Sequence, residues 1–454
     1  MRYREYKKVD IPWLDEVPSH WKIQRIASVF DIRKEKNDPI KTGEVLSLSA
    51  KYGVTPYSEK KEKGGNKPKS DLTKYNLCYQ GDILVNCMNV VAGAVGISNY
   101  FGAVSPVYYP LVTNKYNNKY YMEYLFRNYD FQRGMVGLGK GIMMNESESG
   151  NLTTVRMRIS WDTLKTLKIP IPPKEDQEQI AKFLDWKINY IDRLIENENK
   201  KIKIIKKSIK SAHKDLILGK LKNKSMNFTD KKFVDGIPSN WKVVKLKKVL
   251  NKIEIDANKD DEIVICSNHG YSFYRGEKKI GLSSEDNRYY QKVEKDQIMI
   301  HGMDTWHGAI CISNHNGKCT RVVHVCESKQ NNEYIVYYLR LLAFMGMYKP
   351  YSNGVRQNTS DFRSWNVLGN IDILLPPKTE QDSIVEKLSE YIRINKQTIK
   401  ISEERLKLLE LVKKSIISDV VTGKIDVSNI EIPKCKKDEN IYINYDEEEI
   451  EEGV

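Results

Sequence analysis

Apolar residues recur at alternating steps of three and four along two stretches of this chain. In the first stretch they are Ala181, Leu184, Ile188, Ile191, Ile195, Ile202, Ile205, Ile209, Ala212 and Leu216, with Glu198 at the one polar step. Such steps average three and a half residues, the repeat of a coiled-coil seam. Moving 204 residues along gives Val385, Leu388, Ile392, Asn395, Ile399, Ser402, Leu406, Leu409, Lys413, Ile416 and Val420, the same seam with more polar interruptions. Neither run contains Pro or Gly. Each begins after a Pro-Pro pair (Pro172-Pro173, Pro376-Pro377), which cannot continue a helix backwards, and each ends at a glycine (Gly219, Gly423) suited to a left-handed C-cap. The pattern predicts long helices over 174–220 and 378–424, each about 65 Å long at 1.5 Å per residue. A single apolar stripe on so long a helix needs a partner, and each copy suits the other. Helix one leaves a first globular segment while helix two leaves a second, so pairing along their length requires an antiparallel arrangement. A plain dimerisation coiled coil is the alternative.

The duplication extends beyond the helices. Val17-Pro18-Ser19-His20-Trp21-Lys22-Ile23 returns as Ile237-Pro238-Ser239-Asn240-Trp241-Lys242-Val243, a turn followed by an anchored element whose tryptophans suit buried positions. The apolar runs Ile83-Leu84-Val85 and Ile298-Met299-Ile300 are each followed by a glycine turn, Met88 to Val95 and Met303 to Ile310. Short β-rich runs follow at Val107 to Val112 and Val322 to Val325, and then helical stretches at Asn118–Tyr129 and Asn332–Met347. The expected fold class is α+β: two similar globular domains, 1–173 and 221–377, separated by two long helices paired as an intramolecular antiparallel coiled coil with pseudo-twofold symmetry. Residues 425–454 form an acidic C-terminal tail. Between the repeated elements the two domains diverge. The lysine-rich stretch from Lys51 to Leu77 has no clear counterpart in Tyr271 to Tyr290. One framework with two loop sets suits two related recognition tasks with different targets.

Charge sharpens that expectation. The 454 residues carry a net +14, yet Lys436 to Val454 holds two lysines against eight acids, net −6, which leaves +20 on residues 1–435. Such a balance favours a polyanionic partner. Seven cysteines, with no Cys-x-x-Cys pair, fit a reducing cytoplasm, and neither a signal peptide nor an apolar run of about 18 residues is present.

Catalytic constellations are not evident. Gly137-Leu138-Gly139-Lys140-Gly141 has the wrong spacing for a phosphate loop and lacks the following Ser or Thr. The histidines and cysteines between His301 and Cys326 do not have zinc-site spacing, so no metal is expected. The composition suits duplex DNA instead: cations neutralise phosphates, while Arg, Asn, Gln and Lys on rigid loops can pair with base edges. Candidate contacts in the first domain are Lys51, Tyr52, Lys60, Lys61, Lys63, Lys67, Lys69, Asn86, Asn89, Arg133, Lys140, Asn145, Arg156 and Arg158. In the second they are Asn268, Tyr271, Tyr274, Arg275, Lys278, Lys279, Arg288, Asp304, Trp306, Arg321, Arg356 and Gln357.

Several of these features together resemble the specificity (S) subunit of type I restriction-modification systems. They are the paired Pro-Ser-x-Trp openings, Gly354-Val355-Arg356-Gln357-Asn358, the junctions Ile169-Pro170-Ile171-Pro172-Pro173 and Leu374-Leu375-Pro376-Pro377 with the Glu/Gln-rich helix starts, and the closing Leu218-Gly219-Lys220-Leu221 and Thr422-Gly423-Lys424-Ile425. The resemblance covers almost the whole chain apart from the tail. It implies two target-recognition domains, each reading one half of a bipartite DNA sequence, with the helices setting the unread spacer and docking two methyltransferase (M) subunits. It also implies a subunit without catalysis or cofactor of its own, S-adenosylmethionine belonging to the methyltransferase and ATP with Mg to restriction (R) subunits where these exist. The first domain departs from the Gly-x-Arg-Gln form, carrying Gly139-Lys140-Gly141-Ile142-Met143 there, which leaves the role of that loop open. A self-sufficient DNA nuclease or methyltransferase is the competing expectation, and a scaffold with incidental charge a third.

Overall fold

The computed structural model describes residues 2–60, 67–141, 144–146, 152–154, 157–220, 226–228, 236–276, 284, 286–348 and 362–433. The principal helices are α1 (Lys119–Arg127), α2 (Lys174–Ile217), α3 (Asn332–Phe344) and α4 (Lys378–Val421). The long helices α2 and α4 start where the Pro-Pro pairs predict and stop two residues before Gly219 and Gly423, which adopt left-handed φ of 70° and 77°. The chain divides into two compact units, and each takes half of each long helix. Unit 1 joins residues up to Asn199 to the segment from Ser402; unit 2 is Lys200–Ile401.

In unit 1 the relevant strands are β1 (Lys22–Arg25), β2 (Phe30–Ile32), β3 (Ile83–Asn86), β4 (Val95–Ile97), β5 (Tyr108–Thr113) and β6 (Lys168–Ile171). Strands β2, β5, β3 and β4 form, in that order, an antiparallel sheet, and β1 pairs with β6. Successive residues of a strand face opposite sides. Ile83 and Val85 accordingly join the main core with Trp21, Phe30, Tyr121, Phe126, Ile180, Leu184, Ile417 and Val420. Leu84 faces the other way, into a small second core with Leu46, Leu48, Val54, Cys78 and Val104. The unbroken apolar run in β3 thus follows from a sheet covered on both faces, by helices on one side and by the hairpin Leu46–Ser49/Gly53–Pro56 on the other.

Unit 2 repeats the plan with β7 (Lys242–Lys245), β8 (Leu250–Ile253), β9 (Val264–Cys266), β10 (Ser272–Tyr274), β11 (Ile298–His301), β12 (Ile310–Ile312), β13 (Val323–Ser328) and β14 (Asp372–Leu375). The sheet order is β8-β13-β11-β12, and β7 pairs with β14. Ile298 and Ile300 point into the core with Trp241, Tyr334, Leu339, Ile384 and Leu388, whereas Met299 points to a second cluster with Val264, Cys266, Cys311 and Cys319 under the hairpin β9–β10.

Two polar devices also repeat. The buried amide of Gln177 donates to Pro172 O at 2.8 Å and accepts from Asn118 N at 2.7 Å; Gln381 donates to Pro376 O at 2.9 Å and accepts from Asn331 N at 3.1 Å. Each ties the first turn of a long helix to the N-cap region of the short helix beside it. Within unit 1, Asp192 pairs with Lys413 at 2.5 Å and Glu198 with Arg405 at 3.4 Å, so α2 and α4 run antiparallel there. In unit 2, Ser208 bonds Tyr391 at 2.6 Å, and the end of α2 shares a core with the start of α4. The seam residues Ile188, Ile191 and Ile209 are buried, and Ile195, Ile202, Ile205, Ile392, Ile399, Leu406, Leu409 and Ile416 are half-buried. Residues Ile425 to Ile432, grouped by sequence with the acidic tail, instead pack on the core of unit 1: Val427 is buried, and Gln179 donates to Val427 O and Ile430 O.

Trp21 and Trp241 are buried, as the repeat predicts, and what they bury is the end of a long helix. A Cβ added at Gly423 would lie 2.5 Å from Pro18 Cδ and 3.0 Å from the Trp21 ring; at Gly219 it would lie 2.7 Å from Pro238 Cγ and 3.1 Å from the Trp241 ring. Alanine at either position combines a left-handed backbone with a clash, and is expected to destabilise by about 1–3 kcal/mol. Hydrogen exchange should show Gly423→Ala loosening unit 1 and Gly219→Ala loosening unit 2, with Gly137→Ala, which meets nothing within 4 Å, as the silent control.

In unit 2 the buried His213 ring bonds Tyr337 O at 2.9 Å, and burial pushes its pKa down from 6.5 to about 4. The folded unit keeps the ring neutral while the unfolded chain takes up a proton below pH 6.5. Stability is therefore full above 6.5 and falls as pH drops towards 4, by about 3 kcal/mol from this residue. Urea unfolding between pH 7.5 and 4 should show this decline, and His213→Gln should flatten it.

Candidate nucleic-acid interface

The layer on the far side of each sheet from the long helices is a hairpin in both units, with unlike residues, and Lys51, Tyr52, Asn268, Tyr271, Tyr274 and Arg275 lie on it or beside it. In unit 1, Lys51 and Tyr52 occupy the tip of the hairpin. The Lys51 ammonium lies 4.9 Å from the Tyr52 ring centre, and Ser49 Oγ accepts Tyr52 N at 2.9 Å, which fixes the turn. Lys60 lies over Tyr57, and Lys67 and Lys69 are exposed. Arg133 lies over Tyr129 and donates to its hydroxyl at 2.7 Å; Arg158 is exposed. Asn86 is placed differently: it is buried, and its side chain accepts Met88 N at 3.0 Å, so it shapes the turn after β3. Asn89, half-buried, starts the helical turn that ends at left-handed Gly93. Lys140 and Asn145 fall in short paired strands whose side chains lie outside the described set, and Lys61, Lys63 and Arg156 lie outside the described residues.

In unit 2 the hairpin β9–β10 presents an aromatic face. Tyr271 is half-exposed and stacks on His269 at 6.2 Å, while Tyr274 packs on His315 at 4.3 Å and donates to Asn316 O at 3.1 Å. Asn268 is exposed at the hairpin tip and Arg275 is half-buried beyond it. The turn carrying Asp304 and Trp306 comes close to this tip. Its Gly308, at φ 76°, would place a Cβ 3.6 Å from Asn268 O. Burial lowers the pKa of His301, with Asp304 opposing, and the neutral ring accepts Asp304 N at Nδ1, 3.1 Å. Arg288 and Arg321 form a separate group: Asp286 holds Arg288, while Asp256 and the Arg288 carbonyl hold Arg321. Lys278, Lys279, Arg356 and Gln357 lie outside the described residues. Among the described residues no group of three His, Cys, Asp or Glu is placed to hold a metal ion.

Sequence reasoning missed Arg340. Its buried guanidinium donates through Nη1 to Asn268 O, 3.1 Å, and to Gly308 O, so one cation fixes both the hairpin tip and the neighbouring turn. Arg127 is its counterpart in unit 1, 213 residues earlier. It donates to Val95 O at 3.2 Å, pairs with Glu123 at 2.8 Å and reaches to 3.8 Å from where a Cβ on Gly53 would sit. A lone Arg among the apolar residues Tyr334 to Phe344 is a signal that could have found it.

Two sheets of identical strand order, each backed by halves of the same two helices and fronted by hairpins of unlike residues, define a duplicated two-unit protein. Residues 18–207 and 238–410 match the family described as type I restriction modification DNA specificity domain, and the chain belongs to that family. It is a specificity component that recognises DNA sequence in a restriction-modification system. Relatives from Methanocaldococcus jannaschii include the putative type I restriction enzyme MjaX specificity subunit, 25% identical over 94% of this chain and 98% of the relative. The MjaVIII specificity subunit is 25% identical over 91% and 95%. The fold is similar to the HsdS subunit from Thermoanaerobacter tengcongensis (TM-score 0.52, 15% identity, 90% of this chain and 98% of that one). It is also similar to a chain from a structure on complex assembly and conformational transition of the type I R-M system (TM-score 0.61, 13% identity, 90% and 99%).

Replacing Arg340 by Met removes the donor shared by Asn268 O and Gly308 O, of which Gly308 O keeps Ile310 N at 2.7 Å, an expected cost of about 1–3 kcal/mol to unit 2. Arg340→Lys should restore part of it. Thermal unfolding gives the stability order, and loosened discrimination by unit 2 with unit 1 unchanged would mark Arg340 as a positioning residue for recognition.

Proposed function

We propose that unit 1 and unit 2 each read one half of a bipartite duplex sequence, and that α2 and α4 set the unread spacer. The carrying observation is a repeated framework, outer hairpin included, whose hairpins and following loops carry unlike residues. What two units share supports a common architecture, whereas what differs supports different targets. In unit 2 the proposed readers are the β9–β10 hairpin with Tyr271 and Tyr274 and the turn with Asp304 and Trp306; in unit 1 they are the hairpin tip with Lys51 and Tyr52 and the cations at 60, 67, 69 and 158.

In this reading the chain is non-catalytic and works in the cytoplasm. The methyl transfer, with its S-adenosylmethionine, belongs to two methyltransferase subunits, and ATP- and Mg-dependent cleavage to restriction subunits where these exist. Helix α4 offers support for docking. Its face away from the seam exposes Ile394 and Ile401 in unit 2 and Leu408, Leu411 and Val412 in unit 1, at helical spacing that suits a helical partner.

Sequencing modified bases in cells that express the chain with its methyltransferase partner tests the proposal. Exchanging residues 1–170 for those of another family member should change one half-site only. Removing equal, short segments from the middle of both long helices should shorten the spacer and leave both half-sites as they were. A change in both half-sites on exchange, or an unmoved spacer, would overturn it.

A further inference from the structure

A cleft of about 770 Å³ opens in unit 1 on the framework, away from the hairpin layer. Its basic lining is Lys22 and Arg25 on β1 and Lys174 at the start of α2, with Tyr116, Asn114 and Asn117 beside them. Lys174 donates to the Lys115 carbonyl at 3.2 Å, and His20, also in the lining, is taken up by Asp176 at 3.0 Å. Lys22 and Arg25 are exposed, and their side chains have no ion-pair or hydrogen-bond partner among the described residues.

The strand register makes this arrangement unexpected on grounds of stability. Arg25 lies directly across from Lys168 in the β1–β6 pair, and like charges facing each other across strands are unfavourable. Lys168 looks elsewhere for compensation, to the fully exposed Asp10 at 3.7 Å. The same positions in unit 2 are occupied by Lys245 and Asp372, which face each other across β7–β14 and pair at 2.8 Å. Lys242 and Lys378 repeat Lys22 and Lys174, so the framework is the same while the charge balance differs. Unit 2 neutralises its cation internally, and unit 1 leaves its cation uncompensated.

We propose that the unit 1 cleft is a phosphodiester-binding site that grips the DNA backbone without reading bases. This rests on the reading of the chain as a DNA-specificity component and deepens it by separating anchoring from recognition. Two uncompensated cations and a third beside them supply the counter-charge for backbone phosphates, which positions a duplex but carries no sequence information. A protein partner that met both units alike would face Lys245 neutralised by Asp372 in one and Arg25 bare in the other, so the difference favours a ligand engaged more strongly by unit 1.

The test uses the full chain in complex with its methyltransferase partner and a random-sequence duplex of about 40 base pairs, with affinity measured across a salt series. For Lys22→Gln/Arg25→Gln the log–log salt slope should become shallower by about two, and affinity should fall by a similar factor for every sequence. Modified-base sequencing in cells should return the same half-sites. Lys245→Gln, whose cation is already paired, should leave the slope as it was. An unchanged slope in the double variant overturns the site. An equal change in Lys245→Gln does so too, because overall charge would then explain the binding. Loss of the methyltransferase partner with DNA binding intact overturns it in favour of a protein ligand. If the wild-type complex shows no salt-dependent duplex binding, the DNA reading itself fails, an outcome distinct from the others.

Discussion

The closure of each long helix against a Pro-Ser-x-Trp turn is the contact on which the architecture depends. Gly423 and Gly219 end α4 and α2 in a left-handed conformation, and Pro18 with Trp21, and Pro238 with Trp241, pack within about 3 Å of where a Cβ would stand. Tyr6 adds a hydrogen bond to the Gly423 carbonyl at 2.8 Å. Only a residue without a side chain lets a proline ring and an indole come so near the chain. The consequence is topological. The turn that opens unit 1 closes on the helix at the far end of the sequence, so residues 1–199 need residues from 402 onward to complete one core. In unit 2 the turn at Trp241 closes on the end of α2, and the start of α4 fills the same core. A duplicated sequence has in this way been folded so that each compact unit draws a helical half from both repeats.

From those cores outward the same logic separates what is shared from what varies. A strand buried on both faces needs an apolar residue at every position, and both Ile83-Leu84-Val85 and Ile298-Met299-Ile300 supply it. The inner face meets the helices, which are alike in the two units; the outer face meets a hairpin that is placed alike but carries different residues. The arginines at 127 and 340 reach from the inner helices to the turns and hairpin tips. A loop held by a buried charge keeps its geometry while its exposed side chains change, which is how one framework can serve two targets.

Much of this was legible in the sequence because it was written twice. The helix ends, the buried tryptophans and the strand positions all follow from repeats bounded by Pro and Gly, residues whose backbone limits act locally. The site was less legible. Asn86 is a polar residue next to an apolar strand, and nothing local distinguishes a turn-forming amide from one that faces a ligand; the Met88 N contact decides it. Arg288 and Arg321 look available in sequence, but their carboxylate partners, Asp286 and Asp256, become neighbours only in the fold or depend on rotamer. The core role of Ile425 to Ile432 was hidden because a short apolar run after a helix and before an acidic stretch has no periodicity of its own.

The polar interruptions of the seam have a physical role that apolar burial alone would not supply. Ser402 is fully buried with an unpartnered hydroxyl among the described residues, and Glu198 and Arg405 pair at 3.4 Å beside it in unit 1. Towards the cores the seam turns apolar and buried, at Ile188, Ile191 and Val420 in unit 1 and at Ile209, Val385 and Leu388 in unit 2. A uniformly apolar seam would tolerate slips by one heptad and pairing between copies of the chain, since each register buries similar area. Polar positions make those alternatives costly, because a shifted helix would bring a carboxylate or hydroxyl against Ile or Leu. The glycine closures then fix the register from the ends, since each helix can stop in only one place against its tryptophan. Stability is lost at the polar steps of the seam, and what it secures within each unit is a single alignment of its α2 half with its α4 half.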